Sequence, residues 1–382
     1  MNANQIKKEK RLLIPGPVPV DDEVLIAMGQ PVVAHYGLEF TEFYNETVEL
    51  LKRVFDTKAE VFVLVGSGTA AIDASIGSAL SKNDKVLVGV NGYFGQKMLN
   101  IANTYGLVTV PVEKEWGFAL TSKDFEKAFQ KHSDAKAALV VHLETSTTII
   151  NPIRDIGLIC HQHDAVCIVD AVSSLGGIPF HMDDWGVDFC ATSTQKCLGA
   201  PPGLAPVAVS TRGWDLIEKN PDKGHGWYLN LNVWKQYAND WADWHPFPIT
   251  MATNNVAALH SSLKSLLDEG LENRVDKYRF LAKRLRAGLR EIGFAPYTAD
   301  EDMAPTITAA LSPDGIPTSQ IVSYLANNHN IKIAGGLGEL KDKIIRIGHM
   351  SPCVTTDDID QLLFGLKAFL KHSKEENNEH HS

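Results

Sequence analysis

No uninterrupted apolar run in this 382-residue chain approaches the roughly 20 residues that a membrane span needs. Positive charge is in deficit. Lys and Arg total 36 against 46 Asp and Glu, and the net charge of -10 gives a nucleic-acid role no electrostatic support. Cysteine is scarce: Cys160, Cys167, Cys190, Cys197 and Cys353 are odd in number and form no C-x-x-C pair. They predict reduced thiols in a cytosolic protein rather than a disulfide framework. No His or Cys spacing suggests a metal, and His161 and His163 read as a solvated helix end. Met1 to Arg11 is polar and basic with no apolar run behind it, so no secretory signal and a cytoplasmic location are expected. Neither an internal repeat nor a low-complexity linker interrupts the chain. What is present is ordinary globular composition, 44% hydrophobic and 21% charged, on a chain long enough for a large α/β unit and a smaller domain.

Residues 12–20 (LLIPGPVPV) read as an extended arm, because their three prolines exclude a helix. A short helix is expected over 21–30, capped by Asp21 or Asp22, and a longer one over 39–55. Apolar, largely β-branched runs at 61–65, 86–90, 108–112, 137–142 and 166–170 then alternate with helical stretches. That rhythm implies βαβ crossovers and a mainly parallel sheet covered on both faces. Two further strands flank residues 193–203. The stretch 214–248, with five of the seven tryptophans, has no clean period. Its aromatic residues read as core and subunit-interface packing, or as a lid with Trp227 or Tyr228 over a substrate. The chain turns helical from 255 to 292. It then alternates strands near 306–311, 331–334 and 344–347 with helices over 318–328 and 357–371. The expected domains are an arm over 1–20, a large domain over 21–265, a small α+β domain over 266–372 and a frayed tail over 373–382.

Three stretches carry chemistry. Gly66-Ser67-Gly68-Thr69-Ala70-Ala71 follows a strand and opens a helix. It matches G-x-G-x-x-A, the dinucleotide fingerprint, but the next strand ends Gly89-Val90-Asn91-Gly92, without the acid that would hold a ribose. A phosphate cradle survives that test, since small residues let backbone N–H groups at a helix N-terminus approach an anion. A plain capped strand–helix turn is the alternative. Asp170 ends a buried strand, where a carboxylate must face a cation or protonated nitrogen unless it caps the next segment. Lys196, in Ser193-Thr194-Gln195-Lys196-Cys197-Leu198-Gly199-Ala200-Pro201-Pro202-Gly203, sits in a turn between buried strands. Burial disfavours the ammonium form, and a neutral amine attacks carbonyls; the alternative is a lysine paired with some carboxylate.

In that chain order the three suggest pyridoxal phosphate. The chain resembles the class V aminotransferases of fold type I, most closely the alanine–glyoxylate and serine–pyruvate branch. The resemblance runs from Pro15-Gly16-Pro17 to Arg346-Ile347-Gly348-His349-Met350 through Val65-Gly66-Ser67-Gly68-Thr69, residues 168–177 (IVDAVSSLGG) and the Lys196 turn. It implies a Schiff base on Lys196, with Asp170 on the pyridine nitrogen and the phosphate at Gly66 to Thr69. Phe94 would stack on the ring, Thr145 would lie against it, and Gln195 would help the phosphate or ring hydroxyl. Arg346 would grip the substrate carboxylate. Gly16 would line a pocket for a small side chain. Implied partners are a small amino acid (alanine or serine) and a small 2-oxo acid (glyoxylate or pyruvate), on a homodimer.

The chain departs from its relatives at Ala257, where a tyrosine commonly reaches the neighbouring subunit's phosphate; Thr250 or Thr253 would supply part of that contact. It also resembles pyridoxamine–pyruvate aminotransferase in Lys-Cys-Leu-Gly-Ala-Pro-Pro-Gly and Arg-Ile-Gly-His-Met. It has Leu337 where that enzyme carries an extra arginine, and it keeps the phosphate cradle. Cysteine desulfurases have histidine before the lysine where this chain has Gln195, which leaves Cys353 a persulfide carrier only by elimination. Ureidoglycine as amino donor, and a cofactor-binding subunit without turnover, remain alternatives.

Overall fold

In the computed structural model, residues 11–220, 222 and 224–379 are described; the first half of the expected arm lies outside them. Seven strands form the central sheet: β1 (Glu60–Gly66), β2 (Lys85–Val90), β3 (Val108–Glu113), β4 (Ala137–Val141), β5 (Val166–Asp170), β6 (Phe189–Ala191) and β7 (Gly203–Val209). Their spatial order is β1-β7-β6-β5-β4-β2-β3. All neighbours are parallel except β7, which runs antiparallel to both β1 and β6. Every residue of β4 and β5 is buried. Strands apolar on both faces need cover on both faces.

That cover comes from α1 (Asp22–Met28), α2 (Leu38–Phe55), α3 (Gly68–Ala79), α4 (Tyr93–Thr104), α5 (Ser122–Lys131) and α6 (Ile153–Gln162). Asp21 caps α1 by accepting from the Glu23 amide at 3.1 Å. Thr121 and Asp124 cap α5 reciprocally. Gly157 lets α6 lie against the sheet: a Cβ there would overlap the Trp185 carbonyl oxygen. Backbone cannot yield as a side-chain tip can, so Gly157→Ala is expected to cost about 2–3 kcal/mol. A lowered urea midpoint at unchanged slope would register it; an unchanged midpoint would mean that the helix shifts freely.

The tryptophan-rich stretch is more regular than its sequence suggests. It contains α7 (Thr211–Lys219) and α8 (Leu231–Asp240). Trp214 and Trp234 face inward, each edge-on to Phe62, at 5.9 and 6.4 Å between ring centroids. Trp227, Trp241 and Trp244 face outward, each about half exposed. Large aromatics inside and outside blur the helical period that an amphipathic pattern would show.

Beyond it, α9 (Thr253–Glu269) meets α10 (Leu271–Glu291) at Gly270, whose φ of +88° breaks the helix. Then come β8 (Ile307–Leu311), α11 (Thr318–Asn328), β9 (Ala334–Gly335), β10 (Ile344–Gly348) and α12 (Thr356–Glu379). β8, β10 and β9 form a small antiparallel sheet in that order. The strand expected over 331–334 is divided: Ile331–Lys332 pairs with Arg11–Leu12 of the arm, and Ala334 joins β10. The last helix runs past Lys371 to Glu379 because its buried anchors, Leu366 and Phe369, lead into Lys- and Glu-rich sequence that favours helix. The tail expected to fray from 373 is helical as far as 379; residues 380–382 lie outside the described part.

One hydrophobic core fills the space around the central sheet. A second joins α10, α11, β10 and α12, and includes Leu13 from the arm. A third, small cluster of Val18, Leu143, Ile178, Cys197, Ala304, Ile307 and Met350 lies against the Lys196 turn. The arm is stitched across these parts. The Leu13 amide donates to the Lys332 carbonyl at 2.8 Å, the Gly348 amide to Leu13 at 2.8 Å, and the Val18 amide to Gln195 at 3.1 Å. Among the described residues no helix is long and apolar enough to cross a membrane.

Candidate active site

The ends of β1, β5 and β6 deliver three turns to one place, outside the carboxyl edge of the parallel strands, where such sheets hold ligands. β1 ends at Gly66; Ser67 is the extended N-cap residue and α3 begins at Gly68. A Cβ on Gly68 would overlap Val172 and crowd Ser193, so only glycine lets these turns close up. β5 ends at Asp170, whose Oδ1 accepts from the Val172 amide at 2.9 Å. The turn between β6 and β7 presents Gln195 and Lys196. From β2, Asn91-Gly92 leads into α4, with Phe94 in its first turn.

Together they enclose a cavity of about 230 Å3, lined by Ser67, Gly68, Thr69, Phe94, Lys97, Asp170, Gln195 and Lys196, with Ile72, Met98, Ile101 and Val172 as its apolar wall. Gly66 stands just behind the lining, paired with Gly203 across β1 and β7. Gly16 lies against Lys196: a Cβ there would come within 2.6 Å of Nζ, and its φ of +103° suits glycine. Lys196 Nζ donates to the Pro15 carbonyl oxygen. Arg346, central in β10, donates from Nε to the Gly335 carbonyl at 2.9 Å and from Nη1 to the Thr145 carbonyl at 3.0 Å. Thr145 Oγ1 in turn donates to Ser173 Oγ at 2.8 Å. Two expected residues stand apart. Thr250 is exposed, and Thr253 lines a separate groove with Ala27, Pro31, Tyr36, Asn254 and Ala257. Trp227, Tyr228 and Cys353 do not line the Lys196 cavity.

Burial dominates the electrostatics. It pushes the Asp170 carboxyl up to about 6, against the pull of the Val172 amide, Lys97 and Lys196. It pulls the Lys196 ammonium down to about 8, helped by Arg346 and opposed by Cys197 and Asp170. It lowers Arg346 to about 10, opposed by Glu144. Arg346 is 5% exposed and has no ion-pair partner among the described residues. A buried cation left so is costly unless an anion arrives. Gln195 Oε1 and Ser193 Oγ are buried without a protein partner.

Three participants escaped the sequence reading. Lys97 donates to Thr69 Oγ1 at 2.7 Å. The Pro15 carbonyl holds the Lys196 amine. Glu144, fully buried, accepts from the amides of Phe94 (3.0 Å), Gly95 (2.9 Å) and Ser146 (3.1 Å), and from Ser146 Oγ (2.5 Å). Burial raises its carboxyl and these donors counter it. Glu144 thus ties the first turn of α4, and with it Phe94, to the turn at Thr145 and Ser146. The one available signal was an acid in an otherwise uncharged stretch, 143–153. Glu144→Ala orphans two amides at the N-terminus of α4 and is expected to cost about 3 kcal/mol, at roughly 1–3 for each unsatisfied buried donor. Thermal melting would show it, and a melting point within 1 °C of the parent, by our estimate less than about 0.5 kcal/mol, would contradict that anchoring.

The family model described as "Aminotransferase class-V" matches residues 25–362. An uncharacterized aminotransferase of Methanocaldococcus jannaschii is 42% identical over 90% of this chain and 89% of its own. The crystal structure of an alanine–glyoxylate aminotransferase from Nostoc sp. superposes with a TM-score of 0.91 at 33% identity, covering 95% of this chain and 96% of that one. A pyridoxamine–pyruvate aminotransferase from Mesorhizobium loti superposes at 0.90 with 29% identity, covering 96% and 93%. Helices around a mostly parallel sheet, a half-buried lysine and a buried aspartate at its edge, and these likenesses lead to one assignment: the chain belongs to the class V aminotransferase family, with the fold of the type I enzymes.

Proposed function

We propose that this chain is a pyridoxal-phosphate-dependent aminotransferase. It moves the amino group of a small amino acid, alanine or serine, to a small 2-oxo acid, glyoxylate or pyruvate. The observation that carries the reading is Arg346, a buried guanidinium without an ion-pair partner among the described residues, near enough to Lys196 for its charge to help lower that ammonium. Both an amino acid and a 2-oxo acid bring the carboxylate it lacks, and a planar fork suits that group.

The residues fit pyridoxal phosphate. A cradle that a Cβ would fill, at Gly68, suits close backbone approach to a phosphate, with Ser67 and Thr69 as hydroxyl donors and the start of α3 as a positive pole. Gln195 Oε1 is an orphan acceptor, matched by a ring hydroxyl. Asp170 suits a protonated ring nitrogen and Phe94 a ring face, while Thr145 holds Arg346 through its carbonyl. Bound there, the cofactor supplies an aldehyde and an electron-withdrawing ring. Lys196 does the proton work: its amine, neutral for part of the time at pH 7, accepts the proton from the substrate's Cα and returns one. Arg346 fixes the carboxylate, and Gly16 keeps the space beside Nζ open.

A second copy of the chain is part of the reading. Val32, Val33, Tyr36 and Leu38 expose apolar surface beside the groove that holds Thr253. A homodimer would cover it and bring Thr250 and Thr253 toward the neighbouring site. Free thiols, four of the five buried, suit the reducing cytoplasm. The test is a donor and acceptor screen on the purified protein, following pyruvate from L-alanine with glyoxylate as acceptor. Turnover only with free pyridoxamine, or only with ureidoglycine, would replace the proposed substrates.

A further inference from the structure

We infer that Lys97 is the residue that neutralises the cofactor's phosphate, and that it makes this site select phosphorylated over unphosphorylated pyridoxal. The inference rests on the cofactor reading above and adds a residue to it. Phe94 and Lys97 are three apart on α4 and both line the cavity. Residues so spaced share a helix face, about 5–6 Å apart. A single helix face therefore offers an aromatic surface to a ring and a cation one step further on. Lys97 Nζ reaches Thr69 Oγ1 at 2.7 Å, which puts its charge at the opening of α3, beside the Gly68 cradle.

The charge count asks for it. A phosphate monoester at pH 7 carries about -1.5 to -2, and a helix N-terminus returns roughly +0.5. The other charged groups lining the cavity are Asp170, which adds negative charge, and Lys196, which must shed its proton to react. Lys97 is the remaining cation of the lining. It stands beside Thr69, at the opening of α3. A point charge on a flexible stem needs no exact angle and serves a phosphate well.

Equilibrium titration of the apoprotein with pyridoxal phosphate and, separately, with pyridoxal tests the inference without any turnover measurement. Lys97→Met should weaken pyridoxal phosphate about 10- to 100-fold, the range of one charge-assisted hydrogen bond, and leave pyridoxal within about twofold by our estimate. Lys97→Arg should restore most of the lost affinity. Inorganic phosphate should compete with pyridoxal phosphate in the parent and lose that competition in Lys97→Met. Equal weakening of both ligands would mean that Lys97 merely shapes the pocket, and no weakening would mean that the phosphate lies elsewhere; either overturns the inference. If the parent itself binds neither aldehyde, the cofactor reading falls first and this one with it.

Discussion

Lys196→Ala should lose amino transfer by at least about a thousandfold, roughly 4 kcal/mol of barrier at 1.36 kcal/mol per tenfold, while still binding pyridoxal phosphate through its phosphate and ring contacts. The amine is set for this task by its surroundings. A turn between two buried strands holds it, and burial brings its ammonium down to about 8. The sign of the pH effect follows. Below that value the amine is protonated and inert; above it the amine is free. With a midpoint near 8, the neutral fraction is about one in eleven at pH 7 and one half at pH 8. Capture of pyridoxal phosphate by the apoprotein should therefore quicken about fivefold over that step and flatten above about pH 9. Stopped-flow absorbance reads it directly. A flat profile, or Schiff-base absorbance that persists in Lys196→Ala, would transfer the role to another amine, and Lys97 would be the first to examine.

Asp170→Asn is the second large effect. Asparagine keeps an oxygen for the Val172 amide, so the turn after β5 is preserved and what disappears is the charge. A preorganised group facing developing charge in a buried site is worth about 10²–10³ in turnover, or 2.7–4 kcal/mol. That loss is expected here, with the melting point of the apoprotein unchanged or raised, because the substitution also removes a carboxylate that burial destabilises. Turnover within threefold of the parent would reduce Asp170 to a cap for its own turn.

Much of this was legible along the chain because it is local. β4 and β5 are unbroken apolar runs, and Asp170 and Lys196 each sit where such a run stops. Ser67 to Thr69 announce a strand–helix turn by composition alone. Arg346 was named only through family likeness, since nothing in Ile344 to Gly348 says that its guanidinium is buried without a carboxylate. Lys97 and Glu144 were invisible for another reason. Each acts through partners far along the chain: Lys97 through Thr69, 28 residues earlier, and Glu144 through Phe94 and Gly95, about 50 earlier. A periodic helix pattern shows that Lys97 is on α4 and not which turn it meets. The tryptophan-rich helices failed differently: α8 places Trp234 inside and Trp241 just past its outer end, so polarity no longer reports the face.

The arm has a bearing on how the protein is made. Pro15 and Val18 complete the Lys196 turn, yet Arg11 to Leu13 are held by Ile331, Lys332 and Gly348. On the ribosome the arm emerges more than 300 residues ahead of its clamp. At roughly 5–20 residues per second that is a wait of at least some 15 seconds, during which the central sheet can already close while the outer end of the arm has no strand to pair with. Anchoring of the arm that carries Pro15 is thus tied to synthesis of the far end of the polypeptide, and a nascent chain stalled before residue 331 lacks the strand that pairs with Arg11 and Leu12.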